Sequence, residues 1–513
     1  MGASAVHAAW AVRMTGISKR FGAVAANDDV NLSVRVGTVH GIVGENGAGK
    51  STLMSVLYGF YQADAGRIEV LGREARIRNA DDAIALGVGM VHQHFMLVDT
   101  LTALENVMLG AEPHWLLRRA DHQVRQNLQA LMQSTGLHVG LDTLVSDLPV
   151  GDRQRLEILK ALYRGAKVLI LDEPTAVLTP QETEQLFGVL RGLREQGTTI
   201  LLITHKLKEV LRLCDEVTVM RQGRVVAEMP IGQASIEGLA QAMVGRKVHM
   251  GRIERDDAAA GATALRAQGL VVRDALGVAR LDQVNLTVRQ GEIVGIAGVS
   301  GNGQSELLEV LAGMRPLQSG ELELDGVHFD AMHALDPRRA RALGVAHVPE
   351  DRHACAMVMD FPAWESAVLG YDGLPFYTRA GWMQHGTMRS ATAAMMQRFD
   401  VRPPDPELKS RSFSGGNQQK LVLAREIGQA PKVLLIGQPT RGVDIGAIEF
   451  IYAQLRALRD AGCAIVLVSS ELDEILALSD RVVVMNQGRV TGELAIADCN
   501  EARLGLLMAG GHA

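Results

Sequence analysis

The chain has 513 residues, too many for one ordinary hydrophobic core, so two or more domains are expected. Its 52 Lys and Arg against 58 Asp and Glu leave a formal charge of −6, which gives no bulk electrostatic reason to expect a nucleic-acid surface. No apolar run approaches membrane-spanning length, so any work at a membrane needs other chains to cross it, and the opening MGASAVHAAWAVRM is not a secretory leader. Cys214, Cys355, Cys463 and Cys499 show no CxxC spacing, which fits a reduced cytosolic compartment and buried thiols better than disulfides or zinc. The 21 Met residues read most simply as core filler.

In chain order, Gly16 to Gly22 leads into an alternating strand at Val30 to Val34. The apolar run Val39 to Val43 then enters Gly44-Glu45-Asn46-Gly47-Ala48-Gly49-Lys50-Ser51-Thr52 and continues into Leu53 to Leu57. This is strand, glycine loop, helix: a P-loop. Glycines at that spacing let backbone N–H groups turn inward around phosphate oxygens, Lys50 adds a point charge toward the β- and γ-phosphates, and Ser51 offers a hydroxyl for Mg²⁺. Further on, His92 and His94 have no third ligand and read as loop residues rather than a metal pair, with Gln93 between them.

The buried run Val168 to Leu171 ends in Asp172-Glu173-Pro174-Thr175. A carboxylate at a strand end beside a P-loop is placed to hold Mg²⁺, which suits Asp172, and Glu173 next to it can orient and deprotonate a water. The plainer alternative is that the two acids only begin a turn. His205 closes the next apolar run, Ile200 to Thr204, where it can either reach a γ-phosphate or serve the fold. Such runs, separated by helical patterns like Gln181 to Glu195, indicate parallel strands buried on both faces in an α/β domain with crossover helices.

The second half repeats the first. Gly44 maps onto Gly298, 254 positions later, and the same shift carries Gly66–Gly72 onto Gly320–Gly326. Asp172 maps onto Gly437 at a shift of 265, so the second copy carries about eleven extra residues in its middle. The first domain is expected over 1–248, a linker over 249–262 (HMGRIERDDAAAGA), and the second domain over 263–513.

The set GENGAGKST, VHQ, LPVGDRQRLEILKAL, LILDEPT and LLITH, with FSGGNQQKLVLAREI and LLIGQPTRGVD in the second half, resembles the ATP-binding-cassette ATPases over nearly the whole chain. More narrowly it is similar to the duplicated ATPase subunits of importers for simple sugars and nucleosides. HQHFMLVDTLTALENVMLG and VPEDRHACAMVMDFPAWESAVLG look more like the nucleoside branch. The resemblance implies an α/β fold of two tandem P-loop ABC ATPase domains. Each would have a RecA-like parallel-sheet core, an antiparallel β subdomain and a helical subdomain.

It also implies ATP and Mg²⁺ as cofactors, and two membrane permease subunits as partners with, indirectly, an extracytoplasmic solute-binding protein. The location it implies is the cytoplasmic face of the plasma membrane. Segments near Phe95 to Gly110 and Met357 to Gly370 would form the permease docking grooves. A soluble twin-cassette protein acting on ribosomes or DNA would instead be expected to keep two intact hydrolytic sites, a long charged linker or zinc-type cysteines, none of which this sequence has.

In that family two cassettes pair head to tail, each nucleotide lying between one P-loop and the other domain's signature segment. The first half has Lys50, Gln93, Asp172, Glu173 and His205, but its signature reads Leu148-Pro149-Val150-Gly151-Asp152, with Pro149 and Val150 where the family has Ser and Gly. The second half has Gln304 for the Lys, Glu350 for Gln93, Gly437 and Gln438 for the acidic pair and Ser470 for the His, yet keeps Phe413-Ser414-Gly415-Gly416-Asn417-Gln418. Asp444 in the second half has Thr179 opposite it, and Phe21, the expected adenine-facing aromatic, has Ala275-Leu276. The resemblance therefore implies one hydrolytic site. Lys50, Glu173 and His205 would be catalytic, Ser51, Gln93 and Asp172 would hold the metal, and Phe21, Gly44 to Thr52, Gln93 and Asp172 with Ser414, Gly415, Gly416 and Gln418 would contact nucleotide.

Overall fold

The computed structural model describes residues 10–22, 24–92, 95–111, 121–175, 178, 180–247, 252, 261–299, 301–443, 445–508 and 510–511. The chain divides into two compact units, Met1–Val248 and His249–Ala513. Most of the expected linker lies outside the described residues, and the next strand, Thr263–Arg273, begins directly after it.

The first unit has two sheets. A four-stranded antiparallel sheet runs in the order Val24–Arg35, Trp10–Phe21, Ala65–Val70, Arg73–Ala75. One face of Trp10–Phe21 is apolar, and Ala11, Val12, Met14 and Ile17 turn inward. The six-stranded sheet runs from Arg224–Pro230 through Glu216–Arg221, Val39–Val43, Thr199–Ile203 and Val168–Asp172 to Val88–Val91. It is parallel except at the Arg224–Pro230 edge.

Every residue of Val39–Val43, Val168–Asp172 and Thr199–Ile203 is buried, which is what unbroken apolar runs covered on both faces require. Leu53, Met54 and Leu57 of the helix Lys50–Tyr58 join the core between the two sheets. The register pairs Asp172 with Ile203 and Ile42 also with Ile203, so these strands end together. In open α/β sheets that carboxyl edge is where ligands bind. The helices Ala103–Met108 and Asp121–Thr135 both pack on Val150–Tyr163, and Thr102 and Glu105 close a capping box on the first.

The second unit repeats this plan. Its antiparallel sheet orders Ala279–Arg289, Thr263–Arg273, Ser319–Leu324 and Val327–Phe329, and its larger sheet orders Val345–Val348, Val433–Gly437, Ala464–Val468, Ile293–Ala297, Arg481–Asn486 and Arg489–Ala495. Ala363–Val368, His385–Arg398 and Gly415–Ile427 pack together as its helical part, beside a small hairpin of Thr378–Arg379 with Trp382–Met383.

Two compositional expectations need correction. All four cysteines are free, but only Cys214 and Cys463 are buried and Cys355 is exposed. Methionine is not only filler either, since Met332 is 88% exposed and Met96 60%. Among the described residues no helix is long and apolar enough to cross a membrane.

Candidate active site

Gly44 to Gly49 form the turn between the strand Val39–Val43 and the helix Lys50–Tyr58. Gly49 caps that helix at φ 96°, a left-handed conformation, and a β-carbon there would run into the Ala26 carbonyl. The chain can make this turn only with glycine. Asn46, Gly47 and Ser51 are exposed, Glu45 and Thr52 half-buried, and Ala48 buried, so the loop turns one face to solvent. Lys50 is buried and folds back over the loop, its Nζ donating to the Gly44 carbonyl at 2.7 Å and the Glu45 carbonyl at 3.0 Å. A cation, helix N-terminal amides and an open glycine turn thus converge on one small volume.

Asp172 ends its strand beside this loop and shares a hydrogen bond with Ser51. Burial raises its carboxyl above the usual range, more than the Ser51 bond offsets, with Glu173 adding to the rise and Lys50 opposing it. Glu173 sits at φ 48°, and its N–H donates to the Ile203 carbonyl at 2.9 Å, so the sheet ladder itself fixes where the side chain leaves the strand. Burial pushes the Glu173 carboxyl up, but the His205 bond, with Lys50 and Lys206, outweighs it and the net shift is downward. His205 Nδ1 lies 2.8 Å from Glu173 Oε1. Phe21 is 43% exposed, with Tyr61 edge-on at 5.0 Å and the Lys19 ammonium 5.6 Å from its ring centre. Lys50, Ser51, Asp172, Glu173 and His205 therefore share one sheet edge; Gln93 and Thr179 lie outside the described residues. His92 packs its ring against Phe60.

The second unit keeps the scaffold and carries uncharged residues at the positions of Lys50, Asp172, Glu173 and His205. Gly303 caps the helix Gln304–Leu311 at φ 101°, and Gln304 Nε2 donates to the Val299 carbonyl at 3.2 Å, much as Lys50 folds back in the first unit. Gln438 has φ 49°, its N–H donates to the Val468 carbonyl at 2.8 Å, and Ser470 Oγ donates to its Oε1 at 3.0 Å. This neutral pair reproduces the Glu173–His205 geometry without a base. Ser305 Oγ donates to Glu350 Oε2 at 2.8 Å. Burial raises the Glu350 carboxyl, against the Ser305 bond and the nearby Arg441, while Glu306 and Glu309 reinforce the rise. Leu276, of the Ala275-Leu276 pair set against Phe21, is 90% exposed.

The signature segments differ in the same sense. Ser414 is the N-cap of Gly415–Ile427 but does not cap it with its side chain; Asn417 Nδ2 donates to Ser414 Oγ at 2.9 Å instead. That leaves the first-turn amides of a glycine-started helix for an outside acceptor. In the first unit Pro149 caps Val150–Tyr163, Asp152 puts an acid in the first turn, and a β-carbon at Gly151 would meet Glu182 Oε1 at 2.6 Å. The positive end of that helix thus already carries carboxylates of the chain itself. Gln418 holds the Ser410 and Phe413 carbonyls, both at 3.1 Å. Its Oε1 accepts from Arg352 Nε at 3.3 Å and lies 2.9 Å from His353 Nε2, while Arg352 Nη1 donates to the Arg441 carbonyl at 3.1 Å. Sequence reasoning missed Arg352 and His353, whose only local signal is that they follow Glu350-Asp351. Asp444 lies outside the described residues.

A glycine cradle with a buried lysine, flanked by two carboxylates at an adjoining strand end, defines a P-loop nucleotide-hydrolysing enzyme. The family model described as ABC transporter matches residues 27–176 and 281–441, and the chain belongs to that family as a two-cassette ATP-binding ATPase. It is 44% identical to the guanosine import ATP-binding protein NupO of Bacillus subtilis (strain 168), over 98% of each chain. It is 40% identical to the nucleoside import ATP-binding protein NupA of Lactococcus lactis subsp. cremoris, again over 98% of each. It is also 43% identical to the glucose import ATP-binding protein TsgD13 of Haloferax volcanii, over 98% of this chain and 96% of that one.

Proposed function

We propose that the chain drives nucleoside uptake, hydrolysing ATP at one site and passing the resulting motion to separate membrane permeases. The observation that carries this reading is full-length similarity, at 44% and 40% identity, to proteins named for guanosine and nucleoside import. The relative named for glucose import, at 43%, supports simple-sugar uptake as the second reading.

ATP lies with its phosphates in the Gly44 to Thr52 cradle and its base against Phe21. Lys50 and the helix N-terminal amides take up charge as the terminal phosphoryl transfers. Glu173, held by His205, orients and deprotonates the attacking water. The Ser51 hydroxyl and the buried Asp172 carboxylate are the oxygen donors a Mg²⁺–nucleotide complex needs, and Gln93 joins them in this proposal. When bound, that ion would supply positive charge against the phosphate oxygens.

Ser414, Gly415 and Gly416 offer the first amides of their helix to a nucleotide phosphate, with Gln418 holding their loop. The second cradle, with Gln304, Gly437, Gln438 and Ser470, does not turn over. The domains are taken as 1–248 and 263–513 joined by 249–262. The chain sits at the cytoplasmic face of the membrane against two permeases, docking through Phe95 to Gly110 and Met357 to Gly370, and an extracytoplasmic binding protein delivers the solute. Uptake of labelled guanosine, ribose and glucose by cells carrying the intact chain or Lys50→Ala separates the readings. Loss of guanosine uptake alone is expected; loss of a sugar alone selects the second reading, and no loss in any overturns both.

A further inference from the structure

The small hairpin of the second unit is firmly mounted, and the nucleotide site makes no use of it. Thr378 pairs with Met383 and Arg379 with Trp382, and Ala380 and Gly381 turn the chain between them at φ 50° and 81°, a two-residue turn that suits the twist of a hairpin. Its base is tied down, since the Gln384 N–H donates to the Tyr377 carbonyl at 2.8 Å and Thr378 Oγ1 to the Asp372 carbonyl at 2.6 Å. Tyr377 is itself buried in a separate apolar cluster with Trp364, Val368, Tyr371 and Met388.

Beyond that base the apolar side chains face outward: Trp382 is 78% exposed, Phe376 64% and Met383 51%. One exposed apolar side chain is ordinary, but three within eight positions on a braced turn call for a partner. Charge says which kind. Between Ser366 and Phe399 the sequence has a single acid, Asp372, against Arg379, Arg389 and Arg398. Arg389 is held by Glu407 at 2.5 Å, whereas Arg379 is exposed and among the described residues no carboxylate pairs with it. Arg379 and Trp382 stand directly opposite one another, so both side chains leave the same face of the hairpin. An indole beside a guanidinium matches the headgroup layer of a bilayer, where the ring sits at the boundary between polar and apolar and the cation meets anionic phosphate.

We propose that this hairpin is a membrane-surface contact: Trp382 and Phe376 enter the headgroup layer of an anionic bilayer, and Arg379 binds lipid phosphate. The contact is weak, no tighter than the roughly 10⁴ M⁻¹ of a single myristoyl chain, and it orients a subunit that its permeases hold in place. The proposal rests on the reading that the chain works at a membrane, but not on which solute is carried or on how ATP is hydrolysed.

The test uses the purified full chain and vesicles at millimolar lipid, made either of phosphatidylcholine alone or of phosphatidylcholine with phosphatidylglycerol. Cosedimentation with the anionic vesicles is expected, with much less on the neutral ones, and it should fade at high salt. Arg379→Glu should weaken binding by about tenfold and Trp382→Ala by about fivefold, both leaving the thermal midpoint and phosphate release in place because the two side chains are exposed. Brominated lipid should quench tryptophan emission in the parent chain but not in Trp382→Phe. Equal binding to both kinds of vesicle, no binding to either, or parent-like binding by both variants would overturn the proposal. So would binding that appears only when the vesicles carry the permeases and is lost in the same variants, which would make the hairpin a protein-docking surface. The lipid assay needs neither ATP nor permease, so its result stands apart from any outcome for hydrolysis or uptake.

Discussion

Replacing Glu173 with Gln changes one oxygen to an amide nitrogen at a position whose counterpart already carries the amide. Gln438 sits at φ 49° against 48° at Glu173, its N–H finds the same strand-end carbonyl, and its Oε1 accepts from Ser470 as Glu173 Oε1 pairs with His205. The backbone therefore tolerates Gln, and the His205 ring keeps an acceptor. The folded state loses the charge component of the His205 pair and the attraction of Lys50 and Lys206, offset by the relief of burying a carboxylate, a net effect on the order of 1 kcal/mol. That corresponds to a midpoint shift of at most about 2–4 °C in a unit this size.

Turnover should behave differently. A positioned general base contributes about 10²- to 10⁴-fold, or about 3–5 kcal/mol of barrier. Phosphate release by the purified chain should fall by that factor, while binding of a fluorescent ATP analogue stays within about threefold, because the cradle and Lys50 are untouched. Retention of more than about a third of the parent rate, with binding intact, would remove Glu173 as the base.

Other consequences are smaller and separately measurable. Arg352→Ala removes two donations, to Gln418 and to the Arg441 carbonyl, that brace the signature loop. Turnover should drop about five- to tenfold with unchanged ATP affinity, and Arg352→Lys should rescue it only partly, because one ammonium cannot reach both acceptors. Full rescue by lysine, or a loss of affinity in place of turnover, would contradict that role. His40, wholly buried against Thr218, is held by burial at a pKa of about 4. The unfolded chain then binds the extra proton first, so stability is complete above about pH 6.5 and falls as pH drops toward 4. Between pH 7 and 5 the loss from this group is about 2 kcal/mol, read by urea denaturation, and His40→Gln should flatten that part of the profile. An unchanged slope in the variant would show that other groups carry it.

Much of the fold was legible because its signals are local. Unbroken apolar runs marked the buried strands at Val39, Val168 and Thr199, and the glycine spacing marked the turn at Gly44 to Gly49. Asp172 and Glu173 were readable for the same reason, since a strand end is a local address. What sequence could not supply was convergence between strands. Glu350 reads as a lost glutamine until its side chain is seen at Ser305, in space that glycine at 437 leaves open. Three segments separated by more than forty residues take part, and the repeat shift changes between them, so no one alignment offset brings them together. Arg352 escaped notice likewise, because its partners Gln418 and Arg441 lie on a helix and a turn far along the chain. The exposed Cys355 and Met332 show the limit of composition, which fixes how much apolar material exists but not where each residue lands.

The central claim is that one cradle hydrolyses ATP and the other does not. Steady-state phosphate release by the full chain, compared between Lys50→Ala and Gln304→Ala, addresses it most directly. On the proposed mechanism the buried Lys50 ammonium supplies charge at the reacting phosphate and its removal should abolish turnover, whereas Gln304 offers only an amide to the Val299 carbonyl and its removal should leave turnover within about twofold. Equal losses in the two variants would mean that both cradles turn over, and the one-site account would fail.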